Sequence, residues 1–115
     1  MTLLATVLLA TVLLGGVSPA GVSKEMTMSA TAFALRGRTS SGIKAKSGVI
    51  AADPRILRLG TVIRVSGAGR YSGTYVVADT GRNVRGAEID IHVRSPGEAR
   101  RFGRRTVRVQ ILRRP

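Results

Sequence analysis

The chain has 115 residues, with 19 basic side chains against six acidic ones and a formal net charge of +13. This length allows one domain at most, and the absence of cysteine excludes both disulfide bonds and a lipid anchor attached to an N-terminal cysteine. The positive charge favours polyanionic partners, namely nucleic acid, anionic membranes or cell-wall polymers. Neither a recognition helix nor an aromatic stacking platform is visible, so we expect no nucleic-acid binding.

The N-terminal segment has the pattern of a secretory signal peptide. Residues 1–23 carry no charged side chain, residues 3–14 form an apolar run broken only by Thr6 and Thr11, and small residues precede Ala20. This pattern predicts a signal peptide over residues 1–20, a linker over 21–28, and a location in the cell envelope, either the periplasm or the cell wall. The alternative is an uncleaved anchor, but a spanning helix needs about 20 apolar residues. The segment reaches that length only by including two glycines and Pro19.

Six segments of the mature chain are rich in β-branched residues or alternate between apolar and polar residues, as strands do. They are residues 27–35, 49–52, 61–65, 71–78, 89–93 and 106–112. One short helix is also expected. Ser95, Pro96 and Glu98 form a capping box that predicts a helix of about two turns as far as Phe102, and Gly103 is expected to end it. Short strands at this spacing predict an all-β domain built as a small six-stranded barrel.

The stretch 76–93 is the clearest candidate for a functional site. Asp79 and Asp90 stand eleven residues apart, and a loop that contains Gly81 and Gly86 separates them. In the second strand the apolar residues alternate with Asp90, so a half-buried strand would present this carboxylate on its polar face. Three of the six acidic residues of the chain lie in this stretch. The pattern indicates catalysis, although capping of loops or strand ends is the alternative for both aspartates.

Metal binding by the same strand is not expected. Glu88, Asp90 and His92 share one face, but residues two apart on a strand lie about 6.8 Å from each other. That spacing is too wide for a compact tetrahedral site. We therefore predict no metal and no cofactor.

A set of short motifs recurs in the order known from one family. The motifs are Thr31-Ala32-Phe33, Thr39-Ser40-Ser41-Gly42, residues 48–54, Leu59-Gly60-Thr61, Asp79-Thr80-Gly81, Ile89-Asp90-Ile91 and residues 98–105. Over residues 29–112 the chain resembles the 3D domain, named for three aspartates, which is related to the catalytic barrel of membrane-bound lytic transglycosylase A. The resemblance implies a double-psi β-barrel, followed by a basic tail at residues 113–115. It also implies cleavage of peptidoglycan between N-acetylmuramic acid and N-acetylglucosamine, which leaves a 1,6-anhydro end.

The resemblance also implies roles for individual residues. Asp53, Asp79 and Asp90 would be the three aspartates, with Asp90 the acid and then the base of the reaction. Asp79 would orient Asp90 and supply the like charge that raises its pKa, while Arg82 and Arg85 would oppose that shift. Substrate-binding roles fall to Asp53, Thr39, Gly81, Arg85 and Gly86. Asp53 could equally be structural, since Asp-Pro turns are common.

Peptidoglycan glycan strands are the expected partner, and anionic wall or membrane surfaces would attract the positive charge. The protein is expected to be a monomer. The alternative function is a barrel of the same fold that binds polysaccharide without cutting it, as expansin-like domains do.

Overall fold

The computed structural model describes residues 25–34, 48–81 and 83–115 of the chain. Within these residues the strands are β1 Met26–Phe33, β2 Val49–Ala52, β3 Val62–Ser66, β4 Gly73–Asp79, β5 Glu88–His92 and β6 Arg105–Arg113. One α-helix, α1, spans Pro96–Phe102, and a 3₁₀ turn spans Gly69–Tyr71. Each strand begins and ends within two residues of its predicted bounds. β1 begins inside the predicted linker because Met26 already pairs with Val109 of β6.

The six strands close into one barrel in the order β1-β5-β2-β4-β3-β6. Two of the neighbouring pairs are parallel, β1 with β5 and β2 with β4, and the other four are antiparallel. The predicted six-stranded barrel with one short helix is therefore confirmed. Closure leaves no unpaired sheet edge, and it sends alternate residues of every strand to the interior.

Branched aliphatic side chains fill the interior, as the sparse aromatic composition requires. The largest of the fully buried side chains are Ile50, Leu57, Ile63, Val65, Val77, Ile89, Ile91, Val107 and Val109. Burial of each contributes about 1.5–3 kcal/mol relative to exposure. Because Ile89 and Ile91 point inwards, the residues between and beside them on β5 face the outside of the barrel.

Helix α1 is capped at both ends, as predicted. Its N-terminus is fixed by Ser95 Oγ, which accepts a 3.1 Å hydrogen bond from the backbone N–H of Glu98. The return bond differs from a standard capping box, since Glu98 Oε1 accepts from the N–H of Arg94 at 3.2 Å. Gly103 ends the helix with a positive φ of 66°, where a side chain would be strained.

Among the described residues, no helix is both long and apolar enough to cross a membrane. The predicted signal segment 1–20, Thr39 and Arg82 lie outside the described residues.

Candidate active site

The two candidate catalytic aspartates pair with the same residue of the strand that lies between them. On β2, Ala51 pairs with Asp90 of β5 on one side and with Asp79 of β4 on the other. Residues that pair across strands project from the same face of a sheet. The backbones of Asp79 and Asp90 are therefore two strand spacings apart, about 9–10 Å, with Ala51 between them.

A β-bulge brings Asp79 to this position. Ile50 pairs with Val77, but the next residue of β2, Ala51, pairs with Asp79 rather than with Ala78. In a regular strand Asp79 would point to the same side as Val77, which lies in the core. The extra residue reverses that direction, so Asp79 shares the outer face of the barrel with Asp90. Bulges commonly redirect a side chain in this way beside active sites.

The carboxyl group of Asp90 is half-buried and is held from the neighbouring parallel strand. Thr31 pairs with Asp90 in the register of β1 and β5. Its hydroxyl donates a 3.1 Å hydrogen bond to Asp90 Oδ1. Burial raises the pKa of Asp90 above its ordinary value, and the bond from Thr31 opposes that rise. A raised pKa favours the protonated carboxyl group that a general acid requires.

The charges that act on Asp90 differ from those expected. The like charge that raises the pKa of Asp90 comes from Glu88, two residues away on β5, whereas the sequence prediction assigned it to Asp79. Among the described residues, the cation that lowers the pKa of Asp90 is Arg104 and not Arg85, while Arg82, the other expected cation, lies outside the described residues. Arg104 is held near the site by Glu88 Oε1 at 3.7 Å and by Ser29 Oγ at 2.9 Å. Ser29, Glu88 and Arg104 come from β1, β5 and the segment after α1, which the closed barrel brings together.

The glycine loop folds back against β2. Gly81 has a φ of +61°, and a Cβ atom there would lie 2.6 Å from Val84 Cγ2 and 3.1 Å from the Ala51 side chain. Both the backbone conformation and the close approach therefore require glycine. These contacts explain why Gly81 is glycine through packing alone, so its predicted role in substrate binding stays a prediction.

Asp53 fixes the other end of this loop. Its buried carboxylate accepts hydrogen bonds from Arg55 N–H, Nε and Nη2 at 3.0, 3.0 and 2.7 Å. A fourth comes from the N–H of Gly86 at 2.8 Å. The Arg55 side chain and these backbone donors hold the pKa of Asp53 far below its ordinary value. Asp53 therefore joins its own turn to Gly86, the structural role that the sequence left open.

A pocket of about 220 Å³ lies between the Asp53 turn and the glycine loop. It is lined by Asp53, Pro54, Arg55, Thr80, Gly81, Val84 and Arg85. A second pocket, of about 180 Å³, includes His92, whose ring meets Phe33 edge-on at a centroid distance of 5.4 Å. Within the described ranges, no three His, Asp or Glu side chains are grouped to hold a metal ion.

Thr31, Glu88 and Arg104 belong to this site, and the sequence alone assigns none of them to it. Thr31 lies in the family motif Thr31-Ala32-Phe33, but its role depends on the parallel pairing of β1 with β5. Alternation along one strand gives the face of a residue and not its partner on the next strand. For this reason no pattern in the sequence could assign Thr31 to Asp90.

Comparison with known families decides the relationship. The family model described as the 3D domain matches residues 48–113. The chain belongs to the 3D domain family. As a 3D domain protein it has two curated relatives in Bacillus subtilis (strain 168), each 36% identical. The putative cell wall shaping protein YabE aligns over 77% of the chain, and the cell wall-binding protein YocH over 78%. The chain spans only 23% and 33% of their respective lengths.

Solved structures share the fold of this 3D domain. The lytic transglycosylase MltA from E. coli aligns over 70% of the chain and 28% of its own length, with a TM-score of 0.55 and 19% identity. MltA with bound chitohexaose gives a TM-score of 0.57 at 18% identity, over 70% of the chain and 29% of its own length. At this identity the likeness establishes the fold alone, and it agrees with the predicted barrel.

Proposed function

We propose that this 3D domain protein is a secreted lytic transglycosylase of the cell envelope that cleaves peptidoglycan glycan strands. The observation that carries the proposal is the half-buried carboxyl of Asp90, whose pKa is raised by burial on the outer face of the barrel. The names of the relatives, cell wall shaping and cell wall-binding, support the wall as the place of action. The MltA fold supports glycan as the substrate class.

In the proposed reaction, Asp90 donates its proton to the glycosidic oxygen as the bond from that oxygen to C1 of the muramic acid breaks. The C6 hydroxyl of the same sugar then attacks C1, and the Asp90 carboxylate accepts the hydroxyl proton. The products are a 1,6-anhydro end and a free hydroxyl on the departing glucosamine. Water takes no part, so the second carboxylate that hydrolysis requires is not needed.

Thr31 determines which oxygen of Asp90 does this work. Since the Thr31 hydroxyl donates to Oδ1, the acidic proton resides on Oδ2, which is left to meet the substrate. Asp79 contributes differently. Asp79 pairs with Ala51 on the side opposite Asp90. From this position it accepts hydrogen bonds from sugar hydroxyls and orients the glycan strand over Asp90.

The test is digestion of purified sacculi, followed by mass spectrometry of the soluble products. The wild-type protein should release anhydro-muropeptides, and Asp90→Asn should release none. Glu25→Gln is the matched control, because Glu25 is exposed and pairs with Arg108 away from the site. Products with reducing muramic acid ends would contradict the proposal, since they indicate hydrolysis by two carboxylates. Secretion rests on the predicted signal segment, and N-terminal sequencing of the exported protein checks it.

A second candidate is a binding module that holds glycan without cutting it. The description of the relative YocH as a cell wall-binding protein favours this candidate. If the protein is a binding module, wild type and Asp90→Asn should sediment equally with sacculi, and neither should release fragments. If it is an enzyme, both should again sediment equally, but only the wild type should release fragments.

A further inference from the structure

The pocket between the Asp53 turn and the glycine loop has a charge that the proposed reaction does not use. Its ionisable lining residues are Asp53, Arg55 and Arg85. Arg55 Nη2 lies 2.7 Å from Asp53 Oδ2, so these two charges compensate each other. Arg85 is exposed and has no ion pair within the described part of the chain. The pocket therefore carries an uncompensated positive charge.

The rest of the lining suits a small organic anion. Pro54, Gly81 and Val84 contribute apolar lining, and Thr80 adds a hydroxyl-bearing side chain. The volume of about 220 Å³ is large enough for a carboxylate with a few attached carbons. A guanidinium group such as that of Arg85 can bind a carboxylate through two parallel hydrogen bonds.

The position of the pocket connects it to the aspartates. Thr80 and Gly81 directly follow Asp79, and successive Cα atoms are about 3.8 Å apart. A glycan lying over Asp90 and Asp79 would therefore have this pocket within reach of its neighbouring substituents. The sugar ring of a neutral glycan offers no negative charge there. Muramic acid does, through its lactyl group or through the peptide attached to it.

We propose that this pocket binds a carboxylate carried by muramic acid and so selects murein over neutral glycans. The inference rests on the proposed function for the choice of glycan, but it concerns recognition and not cleavage. Arg85 is the specificity-determining residue, and the Asp53–Arg55 pair lines the same pocket.

The experiment measures binding in the Asp90→Asn background, where no ligand is consumed. Three soluble ligands are compared by calorimetry: murein oligosaccharides with peptide stems, the same oligosaccharides after amidase removal of the stems, and chitohexaose. The amidase product keeps a lactyl carboxylate, so it separates the two sources of the anion. Arg85→Gln tests the pocket, and Arg64→Gln is the control, because Arg64 is an exposed arginine on β3 outside the pocket.

We expect tighter binding of the carboxylate-bearing ligands than of chitohexaose. Arg85→Gln should weaken the binding of the favoured ligand about fivefold, as loss of an exposed charge pair does, and should leave the affinity for chitohexaose unchanged. Arg64→Gln should change neither. Salt should erase the preference, because it screens exposed charges. Equal affinity for all three ligands, or an equal effect of both arginine variants, would overturn the inference. If the wild type does not cleave sacculi but still prefers carboxylate-bearing ligands, only the proposed enzymatic activity is refuted.

Discussion

Thr31 and Asp90 are joined across two parallel strands by a 3.1 Å hydrogen bond from the hydroxyl to Oδ1. This bond opposes the effect of burial on the pKa of Asp90. The pKa of the proposed acid is therefore set by burial, by this hydroxyl, and by the charges of Glu88 and Arg104. Removing Thr31 or Glu88 should move the pH range of activity in a predictable direction.

Thr31→Val should shift activity towards higher pH. The variant removes a bond that favours the ionised carboxylate, so the pKa of Asp90 rises further and the acid stays protonated at higher pH. A pH–rate profile on sacculi should show the alkaline limb displaced upwards. Thr27→Val is the control on the same strand, since Thr27 is exposed and pairs with Arg108. An unshifted alkaline limb would exclude Asp90 as the acid.

Glu88→Gln should shift activity in the opposite direction. Removal of the Glu88 charge takes away a repulsion that raises the pKa of Asp90. It also frees Arg104, which lies 3.7 Å from Glu88 and itself lowers that pKa. Both effects favour the carboxylate, so the alkaline limb should move to lower pH. Glu25→Gln serves as the control, and a shift to higher pH would contradict the assigned charges.

Gly81→Ala should destabilise the protein more than Gly86→Ala. Both glycines have nearly the same φ, +61° and +67°, so each alanine incurs a left-handed backbone cost of about 1–2 kcal/mol. A Cβ at Gly86 meets open space, whereas one at Gly81 lies 2.6 Å from Val84. The overlap should add about 1 kcal/mol or more. Urea unfolding measures both variants, and equal losses would show that the loop does not pack on β2 in solution.

Asp53→Asn should remove part of the acid sensitivity of the fold. Arg55 and backbone donors lower the pKa of Asp53 in the folded state. The resulting stabilisation is complete above the unfolded-state pKa of about 3.9. It is lost as pH falls below that value towards the folded-state pKa. Wild type should therefore lose more stability than Asp53→Asn between pH 6 and pH 3. Parallel losses in urea unfolding would show that the Asp53–Arg55–Gly86 contacts do not persist.

Much of the fold was predictable because its signals are local. Alternation and short β-branched or apolar runs predicted all six strands, and the Ser95 cap and the Gly103 stop predicted α1. The motif order also indicated the family, which the match over residues 48–113 confirms. The site was predictable only in part. Asp79 and Asp90 do share a face, but the charges and the hydroxyl acting on Asp90 come from residues that the sequence analysis did not select.

The sequence by itself determined which residues of the regular strands face inwards, where each strand lies to within two residues, and which acidic groups stand near a glycine loop. These properties follow from side-chain periodicity and backbone preference, which act over a few residues. The tertiary structure decided the neighbours. Parallel pairing of β1 with β5 placed Thr31 next to Asp90, and one bulge after Val77 turned Asp79 to the outer face of the barrel that Asp90 shares. Strand partners and bulges are set by closure of the whole barrel, and closure balances all six strands together, so no local stretch encodes it.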